Sequence, residues 1–241
     1  MTYCVGLLLG EGMVLLSDTR TNAGLDNIST YRKMFTFEEP GERVIAIMTA
    51  GSLSVTQTTI ARLREAIEDP DADQETSIMQ APTLLKVAEI VGNMLASVRK
   101  EIGDKMSAMK QSASASMIVA GQRKGGAMRL FLIYPEGNFI EATEDAPFLQ
   151  IGEHKYGKPI LDRVVRPETS LQDAQKAVLL SMDSTLRSNL SVGMPLDLCV
   201  IERDACRVNL RRRIEAGDEQ FRAMSDAWSQ ALRDGFTQIP I

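Results

Sequence analysis

Three residues near the start of this 241-residue chain are of types that could do chemistry together: Thr2 in MTYCVGLLL, Asp18 at the end of VLLSD, and Lys33 at the start of KMFTF. The small side chain of Thr2 permits removal of Met1, which would leave a free α-amine on the residue that also carries the hydroxyl. An α-amine titrates near about 7.7–8.0, so at neutral pH part of it is unprotonated and can accept the hydroxyl proton. Nucleophile and base would then sit on one residue. A lysine ammonium close to the threonine oxygen would favour its alkoxide, and an aspartate beside it would hold the lysine charged and oriented. Each residue also has a plainer role open to it: an ordinary start for Thr2, a turn cap with Thr19-Arg20-Thr21-Asn22 for Asp18, and a solvated strand-edge charge for Lys33.

Chemistry at residue 2 requires that the chain enter its fold at once, and the pattern agrees. Apolar runs over residues 2–9 and 13–18 flank Gly10-Glu11-Gly12, a hairpin signal that returns Asp18 to the side of the N-terminus. Residues 33–37 and 43–49 form a second strand pair across Glu38-Glu39-Pro40-Gly41. The period then becomes helical over residues 52–67 and 82–109, around the turn Asp69-Pro70-Asp71-Ala72-Asp73. Strand character returns at 117–121, 128–134 and 139–142, helices are expected at 156–164 and 170–186, a last strand pair at 196–201 and 207–212, and a terminal helix at 215–232. No repeat or low-complexity linker interrupts this order, so a single domain over 1–241 is expected. Two groups of strands and two of helices predict an α+β protein, a four-layer α/β/β/α sandwich. The two long helices, 52–67 and 82–109, are the expected contact surfaces between copies.

Composition narrows the function. At 44% apolar residues the chain can bury a sizeable core. No apolar stretch reaches the length of a membrane span and the N-terminus lacks the pattern of a signal peptide, so a cytoplasmic protein with no membrane partner is expected. The formal net charge of −5 and the scattered basic residues argue against nucleic acid. The triplet Arg211-Arg212-Arg213 reads as a strand end entering solvent. Cys4, Cys199 and Cys206 read as buried reduced thiols. A single histidine, His154, and no cysteine pair at ligand spacing leave neither a metal site nor a histidine-based triad within one chain, so no metal or other cofactor is expected. His154 itself reads as a surface or helix-start residue. Gly125-Gly126 has no following Lys-Ser/Thr, so it is a hairpin turn and not a phosphate loop. Without a nucleotide-binding motif, degradation of folded substrates would need a separate ATPase or unfolded input.

Taken together, Thr2, Asp18-Thr19-Arg20, NISTYRK leading to Lys33, MTAGSLSVTQ and the Ser-x-Gly segment RSNLSVGMPLDLCVI resemble the N-terminal-threonine hydrolases of the proteasome β-subunit family over nearly the whole chain. Within that family MTYCVGLLL, SDTRTNAGLDNIST and IGEHKYGKPILDR are similar to the bacterial Anbu (ancestral beta subunit) group. The resemblance implies the N-terminal-nucleophile hydrolase sandwich, Thr2 as nucleophile, Asp18 and Lys33 as its tuning pair, the Gly51 N–H as an oxyanion donor, and Ser191 as support for the terminal amine. It further implies a ring-like or spiral homo-oligomer whose sites face an inner channel and act on peptides or unfolded protein. Two positions depart from peptidase-active subunits: Glu153 stands where serine is usual, and Ser188 or Asn189 where aspartate is usual. The expected function is a self-compartmentalising threonine peptidase. The alternatives are a weakly active or inactive assembly protein and an amidase acting on a small amide or isopeptide.

Overall fold

The computed structural model describes residues 2–22, 28–107 and 112–240. Strands β1 (Tyr3–Leu8) and β2 (Gly12–Asp18) form the expected first hairpin, with Cys4 opposite Ser17 and Leu8 opposite Met13. Two short strands follow, β3 (Arg20–Asn22) and β4 (Ile28–Thr30), paired only with each other. Strands β5 (Met34–Glu39) and β6 (Arg43–Gly51) come next, then helices α1 (Leu53–Glu68) and α2 (Leu84–Ser107). Strands β7 (Ala115–Arg123), β8 (Arg129–Ile133), β9 (Phe139–Glu141) and β10 (Phe148–Gly152) lead to helices α3 (Lys158–Val164) and α4 (Leu171–Ser188). The chain ends with β11 (Leu196–Glu202), β12 (Leu210–Ile214) and α5 (Glu219–Gln238).

The strands form two five-stranded sheets, ordered β10-β1-β2-β11-β12 and β5-β6-β7-β8-β9. Side chains that alternate along a strand point to opposite faces, and here both faces are covered, which is why the strands read as continuous apolar runs. In the first sheet Tyr3, Val5, Leu7, Val14 and Leu16 face a cluster shared with α3 and α4. Cys4, Met13 and Leu15 face the other way, against Val44, Ala46, Met48, Ile118 and Ala120 of the second sheet. The outer face of that second sheet, with Ile45, Ile47, Met117 and Val119, packs on α1 and α2. Three apolar layers between four structural layers make the α/β/β/α sandwich of an α+β protein.

Several elements differ from the sequence reading, each for a local reason. Strand β10 is absent from it: five residues after Pro147 carry too short an alternation to stand out, and their partner β1 lies far away in sequence. The β3–β4 pair lies where a turn after Asp18 is one of the readings open, and it carries no apolar alternation that would mark it in the sequence. The last helix starts at Glu219, not 215, where Asp218 caps it by accepting the Phe221 N–H at 2.9 Å. It continues to Gln238 with only Ser225 buried, so no apolar stripe marks its end. Apolar residues of α1 and α2 pack on their own sheet, and large exposed apolar side chains include Leu85 on α2 and Leu232 and Phe236 on α5. The final strand runs over Leu210–Ile214, later than expected. Among the described residues no helix is long and apolar enough to cross a membrane.

Candidate active site

The end of β2 and the start of β5 bring the three chemically chosen residues to one place. Asp18 is fully buried and its carboxylate is saturated with donors: the Tyr3 N–H reaches Oδ1 at 3.1 Å, Lys33 Nζ reaches the same oxygen at 2.7 Å, and the Gly193 N–H reaches Oδ2 at 3.3 Å. Burial pushes the Asp18 carboxyl above the ordinary carboxylate value, while the Lys33 ammonium and the two amides pull it back down. Lys33 is itself buried and also donates to the Arg20 carbonyl at 2.6 Å. Its backbone is pinned by the Thr49 N–H, which donates to the Lys33 carbonyl at 2.9 Å. Burial speaks against the plainer alternatives for this pair, a turn cap and a solvated edge charge.

Thr2 is held by its neighbours on either side. Tyr3 anchors to Asp18, as above, and the Glu153 N–H donates to the Thr2 carbonyl at 2.6 Å. Gly152, opposite Tyr3 at the end of β10, has φ +82°, and a Cβ there would lie 1.9 Å from the Thr2 carbonyl oxygen. Only glycine permits that approach. Thr2, Lys33, Gly51 and Gly152 border a cleft of about 600 Å³. Gly51, exposed at the end of β6, has φ +105°, and a Cβ there would meet the Ser114 carbonyl oxygen at 2.4 Å.

Of the residues singled out in the sequence, Thr2, Lys33 and Gly51 thus share one cleft, and Asp18 stands behind Lys33. Ser191 connects by another route, in the turn after α4, where its N–H donates to Asn189 Oδ1 at 2.9 Å. Asn189 Nδ2 in turn donates to Glu153 Oε2 at 3.0 Å. The two departing positions are therefore in contact with each other, through Asn189 and not through Ser188, which is exposed in the last turn of α4. Glu153 is buried, one residue beyond the Gly152 contact with Thr2. Met1, whose removal the chemistry needs, lies outside the described residues.

The sequence reading assigned no role to Gly152, to the Arg20 carbonyl or to the Gly193 N–H. Glycines ending strands are a visible signal, but the contact each one permits depends on partners from distant elements. Elsewhere, the basic triplet is neutralised by paired acids: Arg211 with Glu38 at 3.0 Å, Arg212 with Asp218 at 2.7 Å, and Arg213 with Asp197 at 2.8 Å. The three cysteines are free and buried. His154 is exposed, with Nδ1 3.3 Å from the Gly152 carbonyl oxygen. Gly125 sits in the turn between β7 and β8 with φ +69°. Among the described residues no group of three or more His, Cys, Asp or Glu is placed to hold a metal ion.

Comparison with known proteins gives this arrangement its context. The family model described as "Proteasome subunit" matches residues 2–201. "Proteasome subunit beta 2" of Pyrobaculum calidifontis is 26% identical over 204 residues, covering 84% of this chain and 90% of that protein. The solved structure of an Anbu (Gly-1) mutant from Hyphomicrobium sp. strain MC1 is 48% identical, covers 100% of this chain and 99% of its own, and superposes with a TM-score of 0.93. The structure described as the helical assembly of the Anbu complex from Pseudomonas aeruginosa is 42% identical over 99% of this chain and 97% of that chain, with a TM-score of 0.92. Identity at this level over the full length goes beyond shared architecture, and the chain belongs to the proteasome subunit family, within its Anbu (ancestral beta subunit) group.

Proposed function

We propose that this protein is a self-assembling threonine peptidase that cleaves peptide bonds through an ester at Thr2. With Met1 removed, Thr2 Oγ passes its proton to the Thr2 α-amine and adds to the scissile carbonyl carbon. The oxyanion that forms is stabilised by the Gly51 N–H and by the positive charge of Lys33, which Asp18 keeps in place. The adduct collapses when the leaving amine takes the proton back, leaving the acyl group on Oγ. Water, giving a proton to the same α-amine, adds to that ester, and release of the acid product restores the hydroxyl. Ser191 supports the amine through its turn.

The observation that carries this reading is the buried Lys33–Asp18 pair at 2.7 Å, placed where Lys33 shares a cleft with Thr2. A buried ion pair is costly to assemble and is weak evidence for stability alone, so a buried lysine charge held at the wall of the cleft that Thr2 borders is better explained by function. The test is covalent labelling of the processed protein by a peptide boronate or β-lactone, reagents that need an activated nucleophile more than a good substrate fit. Thr2→Ala should abolish labelling and Lys33→Ala should slow it by about 10²-fold or more. A processed, assembled protein left unlabelled by several such reagents between neutral and mildly alkaline pH would end the peptidase reading.

The Asn189–Glu153 contact favours the second reading, because it fixes a buried carboxylate on the very residue whose N–H holds the Thr2 carbonyl. On that reading the fold persists as an assembly protein with little turnover, or as an amidase. Small-amide turnover without peptide turnover would single out the amidase. The helical assembly described for the Pseudomonas relative supports self-assembly here, as a ring-like or spiral homo-oligomer. On the proposed reading this assembly works in the cytoplasm on peptides or unfolded protein, with a separate ATPase for folded substrates.

A further inference from the structure

The cleft that holds Thr2 has a charge balance that peptide-bond cleavage does not require. Arg32 and Lys33 both line it, and no aspartate or glutamate does so among the described residues. The charge of Lys33 is answered from behind by Asp18. That of Arg32 is not: the side chain is exposed and makes no ion pair with any described residue. This sets it apart from Arg211, Arg212 and Arg213, each of which has an acidic partner. The Arg64 guanidinium lies 5.3 Å from the ring centre of Phe35, which lines the cleft, but Arg64 itself borders a neighbouring pocket with Arg32, Asp197 and Arg211. The apolar part of the wall, Phe35, Ala50 and Leu53, can cover the methylenes of a short side chain while its tip meets Arg32. A cleft walled by low-dielectric side chains and bearing one sign of charge concentrates ligands of the other sign.

We propose that this cleft selects peptides in which the residue on the acyl side of the scissile bond is glutamate or aspartate, with Arg32 as the specificity-determining contact. The inference rests on reading the cleft as a peptide-binding site and deepens it by naming the substrate class. A basic residue at that position is repelled by the same charge, so discrimination comes from both signs. Because Arg32 is exposed, the advantage is a few-fold, at most about 5-fold, and falls as salt rises.

The test separates binding from chemistry. Assembled Thr2→Ala protein is titrated with fluorescently tagged, otherwise identical tetrapeptide amides ending in Glu, Leu or Lys, read by anisotropy. The Glu peptide should bind a few-fold tighter than the Leu peptide, at most about 5-fold, and the Lys peptide most weakly. Raising the salt should shrink that order, Arg32→Gln should erase the Glu advantage, and Arg32→Glu should reverse it. Equal binding of Glu and Leu peptides, binding of none of them, or a Glu advantage that survives Arg32→Gln would each overturn the inference. In the active protein, matched fluorogenic peptides should be cut in the same order. Turnover without that order refutes the substrate class alone. Failure of electrophile labelling refutes the peptidase reading instead, and the titration still decides whether Arg32 selects acid.

Discussion

Replacing Lys33 by methionine removes one partner of a pair whose side chains are 6% and 0% exposed. Methionine keeps the length and apolar stem of lysine, so packing changes little and the main effect is electrostatic. Asp18 would keep the Tyr3 and Gly193 N–H donors but lose the cation 2.7 Å away. Breaking a buried pair from one side costs about 3–5 kcal/mol, and two remaining amide bonds place this case near the lower end, at ~3 kcal/mol. That is a large part of the ~5–15 kcal/mol that stabilises a typical protein. Adding Asp18→Asn removes the stranded carboxylate, so the double variant should regain most of the loss, with a coupling of about 2–3 kcal/mol. The assay is urea unfolding of the four proteins at one fixed protein concentration, repeated across pH. With the cation gone, only the Tyr3 and Gly193 amides oppose burial at Asp18, and its folded-state value rises further above the unfolded one. A carboxyl raised in this way contributes stability that is present at low pH and lost as pH rises through its folded value. Relative to wild type, Lys33→Met should therefore be less impaired at pH 5 than at pH 8, and this difference should vanish in the double variant. A single-variant cost below ~1 kcal/mol, or additive costs with no pH dependence, would show that Asp18 and Lys33 are not a water-excluded pair and would remove the basis for Lys33 as an activating charge.

Gly152→Ala should slow electrophile labelling at Thr2 by ~10²-fold or more, since the new Cβ would displace the Thr2 carbonyl 1.9 Å away; Gly125→Ala, at an open turn with φ +69°, should leave labelling unchanged. The phenol of Tyr3 is pushed up to about 12 by burial, against hydrogen bonds from Ser181 and Gln150, and burial likewise raises the thiols of Cys4 and of Cys199, the latter to about 12. Groups raised on folding contribute stability that is complete below their unfolded values and lost as pH climbs through the folded ones. A pH titration followed by circular dichroism should thus show alkaline unfolding beginning above about pH 9, and Tyr3→Phe, which removes an ionisation that costs the folded state ~3 kcal/mol at high pH, should shift it to higher pH.

The local signals in this sequence were sufficient for the two hairpins that open the chain, the two helix pairs and the layering, because apolar periodicity is read from neighbours a few residues apart. Thr2, Asp18 and Lys33 were legible for the same reason: each lies at an end of one of those strands, and hairpin pairing alone returns Asp18 to the start of β1. The charge balance and the single histidine likewise argued against nucleic-acid binding and a metal site from composition alone. What it could not carry were contacts between elements far apart in the chain. Strand β10 meets β1 across more than 140 residues, and that pairing brings Gly152 and Glu153 onto the Thr2 carbonyl. The same holds for the Gly193 N–H on Asp18 and for Asn189, not Ser188, on Glu153. Whether Asp18 and Lys33 are solvated charges or a buried pair was likewise decided by tertiary structure alone, since burial is set by the packing of two sheets and not by the residues on either side of a carboxylate.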